Sequence, residues 1–182
     1  MVTPAQIRIK EAHSKEWEEY KQRILEIEEI FDPKLREEPE TIKAFFDDPQ
    51  AIVLVAEIGT NVVGCLYAAP IESNLFLRGL GPTKEYKTFS DFLKRDSNFG
   101  KCNTMYESSL AVLSRYEGRG IGTALDRELA RVAKDDGYKF ITAHNAPDAS
   151  LHIAEKLGWK KVEECKNWFG TGEDYCYMRL EL

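Results

Sequence analysis

The sequence predicts an α/β fold in which one mixed sheet is flanked by helices. Three features predict it. Two β-branched runs, 51–58 and 62–69, stand on either side of Gly59-Thr60-Asn61, the composition of an antiparallel hairpin. Residues 106–143 read strand, glycine-rich turn, helix, strand, a βαβ unit whose two strands run parallel because the chain crosses the sheet between them. Apolar residues at helical spacing recur in the remaining segments, so helices are available to cover the sheet faces.

Taken in order, residues 6–10 alternate polar and apolar and form a short first strand. Ser14 is placed to cap a helix carrying Trp17, Tyr20, Ile24, Ile27 and Phe31 at spacings of three and four, and Asp32-Pro33 stops it. Pro39 suits the first turn of a shorter helix that turns Ile42, Phe45 and Phe46 inward and ends before Pro49. The hairpin follows, and Pro70 ends it. Residues 71–104 break any period with Gly79, Gly81, Gly100, Pro82 and scattered charges. They are expected to be a functional insert, with a short helix around 89–94 and with Phe76, Tyr86, Phe89, Phe92 and Phe99 as a satellite core or a substrate wall.

The strand 106–113 then leads to a helix from about Gly120, with Leu125, Leu129, Val132 and Ala133 on one face and Gly137 at its C-cap. A strand at 140–143 precedes a helix that Asp148 would cap and Gly158 would close. Two last strands, 159–165 and 175–182, flank Gly170-Thr171-Gly172. The expected order is β-α-α-β-β-β-α-β-α-β-β in a single domain over 1–182.

Composition narrows the function. A hydrophobic share of 43% and a charged share of 31% belong to globular chains. A net charge of −6 disfavours a nucleic-acid partner. No apolar run is long enough for a membrane helix, and Met1-Val2-Thr3-Pro4 lacks a signal-peptide head, so no membrane partner and a cytoplasmic location are expected. Neither Cys65, Cys102, Cys165 and Cys176 nor His13, His144 and His152 fall at metal-ligand spacing; no metal and no disulfide are expected.

The chemistry concentrates in Leu110 to Leu125, where a strand ends, Gly118, Gly120 and Gly122 alternate with other residues, and a helix begins. The first turn of a helix has N–H groups without acceptors and a partial positive charge, which suit an anion. Glycines admit close approach, and Arg115 and Arg119 add charge, so a phosphate-bearing ligand is expected. A dinucleotide turn would need glycine or alanine where Thr123 stands, and a triphosphate loop would need a lysine that is missing. A purely structural turn stays open on the residues alone.

Arg115-Tyr116-Glu117-Gly118-Arg119-Gly120 resembles motif A of the GNAT superfamily of N-acetyltransferases, Arg/Gln-x-x-Gly-x-Gly/Ala, with Ile121-Gly122 and Ala124-Leu125 as its usual continuation. Ile153-Ala154-Glu155-Lys156-Leu157-Gly158-Trp159 resembles the end of motif B, commonly Leu-Tyr-x-Lys-x-Gly-Phe. The resemblance covers 51–69 and 105–182. It implies a GNAT-like, splayed sheet whose strands 106–113 and 140–143 part, with acetyl-CoA as co-substrate in the gap. The pantetheine arm would pair with backbone around Ala111, Val112 and Leu113. The pyrophosphate would sit on Gly118, Arg119, Gly120, Ile121, Gly122 and Thr123 beside Arg115, with Asn145 and Ser150 as further cofactor contacts.

The implied reaction is acetyl transfer to a primary amine of a small-molecule or peptide acceptor; a homodimer is among the implied partners. Glu107 is the candidate general base and His144 the second candidate. Ala154 stands where the family commonly has a tyrosine acid, and Pro147 where it has an asparagine, so the acid is unassigned; His152 and Tyr177 are candidates by chemistry. An acyl-CoA-binding sensor or partner module with little turnover is the alternative.

Overall fold

The computed structural model describes residues 7–71, 73, 103–147 and 149–182. Most of the expected insert, its helix and aromatics, Cys102 and the Asp148 cap lie outside the described residues. Among them a seven-stranded sheet has the order β1-β2-β3-β4-β5-β7-β6. Its strands are β1 (Ile7–Glu11), β2 (Ile52–Ile58), β3 (Asn61–Pro70), β4 (Thr104–Val112), β5 (Phe140–Asn145), β6 (Lys160–Cys165) and β7 (Tyr175–Glu181). Only β4 and β5 pair in parallel; the other neighbours are antiparallel. The sheet is mixed, as the hairpin and the crossover require.

Helices α1 (Trp17–Glu28) and α2 (Pro39–Asp47) cover one face of the sheet, and α3 (Ile121–Asp135) and α4 (Ala149–Lys156) belong to the other. Period-two alternation along the strands feeds both cores. Val53, Val55, Cys65 and Tyr67 meet Trp17, Ile24 and Phe45, while Leu54, Leu66 and Ala68 meet Leu125 and Leu129. Cys65, Cys165 and Cys176 carry free thiols. No described helix is long and apolar enough to cross a membrane.

Three local expectations shift. Ser14 does not cap α1: a 3-10 turn, Ser14–Glu16, leads into it, and the Glu16 carboxylate accepts the His13 N–H at 2.9 Å. The helix ends at Glu28, before Asp32-Pro33, so Phe31 packs on the core from the following loop. The first hairpin turns on Gly59-Thr60 alone, because Asn61 already pairs with Ile58. Gly59 has φ 65°, the left-handed conformation a tight turn of this kind favours.

Two irregularities open a cleft in the sheet. The β4–β5 ladder stops at Glu107↔Ala143, although β4 continues to Val112 and β5 to Asn145. In the β3–β4 ladder Tyr67 faces Ser109 and Ala68 faces Glu107, so Ser108 is an extra residue, a β-bulge. Beyond the bulge β4 stays close to β3. A Cβ on Gly64 would lie 3.0 Å from the Ala111 carbonyl oxygen and 3.3 Å from Ile121 Cγ2 and Val112 Cγ2. Gly64→Val should therefore cost about 1–3 kcal/mol and lower Tm by several degrees. An unchanged Tm would mean that the two strands are not packed this closely.

Candidate active site

A cavity of about 870 Å³ runs through the gap between β4 and β5. At one end stands the glycine turn. The helical ladder of α3 begins with Ala124 N–H donating to the Gly120 carbonyl at 3.0 Å, so the N–H groups of Ile121, Gly122 and Thr123 have no carbonyl within the helix to receive them. Gly118 and Gly120 have φ 71° and 79°, and a Cβ on either would meet nothing within 4 Å. Their left-handed backbone wraps an open cradle whose lining includes Gly118, Gly120, Gly122 and Thr123. Arg115 and Arg119 each place a guanidinium over the Tyr116 ring, at 5.3 and 5.2 Å.

Leu113 N–H donates to the Val63 carbonyl at 2.9 Å, so its backbone is committed to β3. By strand alternation the groups that face the gap are those of Leu110 and Val112. This corrects the expected pairing around Ala111 and Leu113. Asn145 ends β5, borders the cavity and is 7% exposed, and its Oδ1 has no hydrogen-bond partner. Ser150 also borders the cavity and donates to the Ala146 carbonyl at 3.2 Å. Open helix N–H groups, a cradle without Cβ atoms and a buried amide oxygen in want of a donor fit a long ligand with a pyrophosphate at one end. Acetyl-CoA is such a ligand.

The middle of the cavity is aromatic. Trp168 stacks on His144 at 4.1 Å between ring centroids, Tyr177 stacks on the same imidazole at 4.8 Å, and the Tyr106 hydroxyl is 3.1 Å from its Nδ1. Burial pushes the His144 pKa down to about 3, so the ring is neutral at physiological pH and a weak base. Trp168 and Phe169 come from the loop between β6 and β7. It has the bounds expected around Gly170-Thr171-Gly172, and it contains a 3-10 turn, Trp168–Gly170. Asn167 and Phe169 have φ 46° and 47°, a conformation uncommon for a bulky side chain. Lys34 reaches across to the Gly170 carbonyl and ties this loop to the α1–α2 connection.

The carboxylates divide between the two faces. Glu107 lies on the α3 side of the sheet, like Met105 two residues before it, next to Asp126 of α3. Burial first, then the Asp126 carboxylate, pushes Glu107 well above the usual range, and burial brings Asp126 up to about 7. The bulge at Ser108 then turns Ser108 and Ser109 to the opposite face, where their hydroxyls lie 3.4 Å from Glu37 and Glu28 respectively. The sequence reading missed both glutamates.

Ala154, where the resemblance would place an acid, is 1% exposed and packs into the α3-side core. The α4 residues that border the cavity are Ala149, Ser150, His152, Ile153 and Lys156. His152 is exposed at the rim, and Tyr177 is buried beneath His144. Among the described residues no group of three or more His, Cys, Asp or Glu could hold a metal ion.

Comparison with known proteins agrees with this geometry. Residues 9–159 match the Acetyltransferase (GNAT) family. An N-alpha-acetyltransferase of Sulfurisphaera tokodaii is 32% identical over 79 residues. That match spans 41% of this chain and 46% of the relative, about half of its length. A mosquito arylalkylamine N-acetyltransferase-like 5b superposes with a TM-score of 0.76 at 17% identity, over 97% of this chain and 100% of that one. The Salmonella typhimurium protein yncA, solved with its cofactor acetyl-CoA, superposes with a TM-score of 0.68 at 17% identity, over 98% and 95%. At such identities the two structures establish the shared fold.

Proposed function

The chain belongs to the Acetyltransferase (GNAT) family, and from that premise we propose that it transfers the acetyl group of acetyl-CoA to a primary amine. The observation that carries this reading is the parting of β4 and β5 beyond Glu107↔Ala143, with an anion cradle at one end of the gap and buried carboxylates at the other. A thioester held along the gap would present its carbonyl between the two. The proposed cofactor contacts are the backbone of Leu110, Val112 and residues 118–123, the Arg115 and Arg119 guanidinium groups, Asn145 and Ser150. The proposed unit is one domain over 1–182, with 71–104 as its insert. The named activities of the S. tokodaii and mosquito relatives support an amine acceptor.

His144 is assigned an aromatic positioning role, since a ring this hard to protonate cannot hold the proton an ammonium must lose. Glu107 also borders the cavity, but burial and the facing Asp126 carboxylate hold its own proton in place, so it is not the group assigned to take one from the ammonium. The reading of a binding module without turnover draws on Ala154, whose burial leaves the usual acid position empty of chemistry. A thiol-release assay separates the two. With acetyl-CoA and a panel of small primary amines, secondary amines and peptides with free N-termini, thiol should appear only with acceptors that present a primary amine. Tight acetyl-CoA binding with no thiol from any acceptor would leave the binding module standing.

A further inference from the structure

An alkylamine arrives as an ammonium ion, and its nitrogen has no lone pair until one proton leaves. The connection between α1 and α2 places two carboxyl groups where that proton could go. Glu28, 3% exposed, ends α1; its Oε1 lies 3.4 Å from Ser109 Oγ and its Oε2 accepts the Glu37 N–H at 3.3 Å. Glu37, 8% exposed, borders the cavity; Ser108 Oγ donates to its Oε1 at 3.4 Å, and its Oε2 has no partner. The neighbouring cation does not neutralise it: Arg36 gives its guanidinium to the Phe31 and Glu29 carbonyls, both at 2.9 Å. A buried carboxyl oxygen left open toward a cavity is costly unless a ligand supplies the missing donor.

The rest of the wall restricts that ligand. Asp32 and Glu173 also border the cavity, and Trp168 and Phe169 give it an apolar side. Among the described residues the only lysine or arginine bordering it is Lys156, on the helix that packs Ile153 against Gly122. Among the described residues an acceptor with a carboxylate next to its amine would meet like charge from Asp32, Glu37 and Glu173, with Lys156 of α4 as the one lysine or arginine on the wall.

Resting on the acetyl-transfer reading above, we propose that Glu37, backed by Glu28, receives the ammonium group of an acceptor that carries no adjacent carboxylate, and takes the proton that group must lose. The proton moves from nitrogen to Glu37 Oε2, leaving a neutral amine and a neutral acid. The freed lone pair forms the new C–N bond to the thioester carbonyl carbon and the C–S bond breaks. The second proton of that nitrogen ends on the sulfur, giving amide and thiol, and Glu37 returns its proton to solvent. Burial first, then the Glu28 carboxylate, raise Glu37 to about 8 against the opposing pull of Ser108, and Glu38 adds the least. That lies nearer to an alkylammonium, at about 10.4, than an ordinary carboxylate does, so the transfer is less uphill. The groups facing Glu28 are the Glu37 N–H, Tyr67 of β3, Ser109 of β4 and the more distant Arg36.

The test uses matched acceptors that differ by one carboxylate: phenylethylamine and phenylalanine, tryptamine and tryptophan, agmatine and arginine. Within each pair that reacts, thiol release should favour the decarboxylated member by about 10²-fold in kcat/KM. Glu37→Gln should lower kcat by about 10²–10⁴-fold and abolish the rise of kcat/KM as pH passes 8. It should leave the acetyl-CoA Kd within about two-fold, and Glu37→Asp should recover part of the rate and of the pH limb. A Glu37→Gln enzyme with the wild-type rate and profile, a preference for the amino acids, or a lost acetyl-CoA affinity would each overturn the proposal. No thiol from wild type with any acceptor would instead defeat the acetyl-transfer reading, and the proposal with it.

Discussion

Gly120→Asp should abolish acetyl-CoA binding while leaving the fold intact. Gly120 precedes α3 with φ 79° and ψ 11°, and its Cβ position is open, so the new side chain would displace no packed atom. The cost to stability is the left-handed backbone alone, roughly 1 kcal/mol, which aspartate tolerates better than most residues. What changes is the ligand end of the helix. A carboxylate held beside the N–H groups of Ile121, Gly122 and Thr123 can accept from them itself, and it repels a pyrophosphate brought to the same place. The wild type is expected to bind with low-to-middle micromolar affinity, about 7–8 kcal/mol, and the variant to show no heat of binding by calorimetry. Gly120→Ala is the control that carries the strain without the charge, and it should retain most of the affinity. Equal affinity in wild type and Gly120→Asp would place the cofactor elsewhere.

The two ends of the cavity differed in how far the sequence revealed them, and the reason is physical. The cradle is local: strand, glycines and helix start lie within sixteen consecutive residues, Leu110 to Leu125, and their backbone conformations follow from residue type. The parallel pairing of β4 and β5 follows from the intervening helix for the same reason. The acceptor end depends on register. Alternation along β4 is interrupted by the bulge at Ser108, a property of the β3–β4 pairing that single-strand reading does not contain. Glu107 was therefore the visible candidate, and it borders the cavity with its side chain on the α3 face beside Asp126.

Glu28 did leave a signal, since it follows Ile24 by four residues and so extends the apolar stripe of α1 with a charge. Glu37 left none. It stands in the polar run Arg36-Glu37-Glu38, and its burial comes from the packing of the α1–α2 connection on β4. The same holds for Trp168 and Phe169: a glycine-rich turn could be foreseen there, but not a loop that stacks an indole on His144.

The protein should become less stable between pH 6.5 and 8.5, where most globular domains change little. Glu28, Glu37, Glu107 and Asp126 are buried, and burial raises all four carboxyl pKa values above their ordinary 4.5 or 3.8. A raised folded pKa means that the native state binds more protons than the unfolded chain, so this contribution is complete below the unfolded value and is lost as pH rises through the folded one. His144 acts in the other direction, because its folded pKa is depressed to about 3 from 6.5. Its contribution grows as pH rises to 6.5 and is constant above. The two effects oppose each other between pH 4.5 and 6.5, and above that only the carboxylates remain. The cation-paired carboxylates Glu57 and Asp174 have lowered values and matter only in acid. With Asp126 at about 7 and Glu37 at about 8, the loss falls inside the window. Glu37 alone accounts for roughly 2 kcal/mol across it. Scanning calorimetry at pH 6.5, 7.5 and 8.5 should show Tm falling by several degrees in wild type and by less in Asp126→Asn and in Glu37→Gln, which cannot ionise at those positions. A Tm that is flat or rising over this range would mean that the buried carboxylates are matched by cations after all, and that the open oxygen of Glu37 is not waiting for one from the substrate.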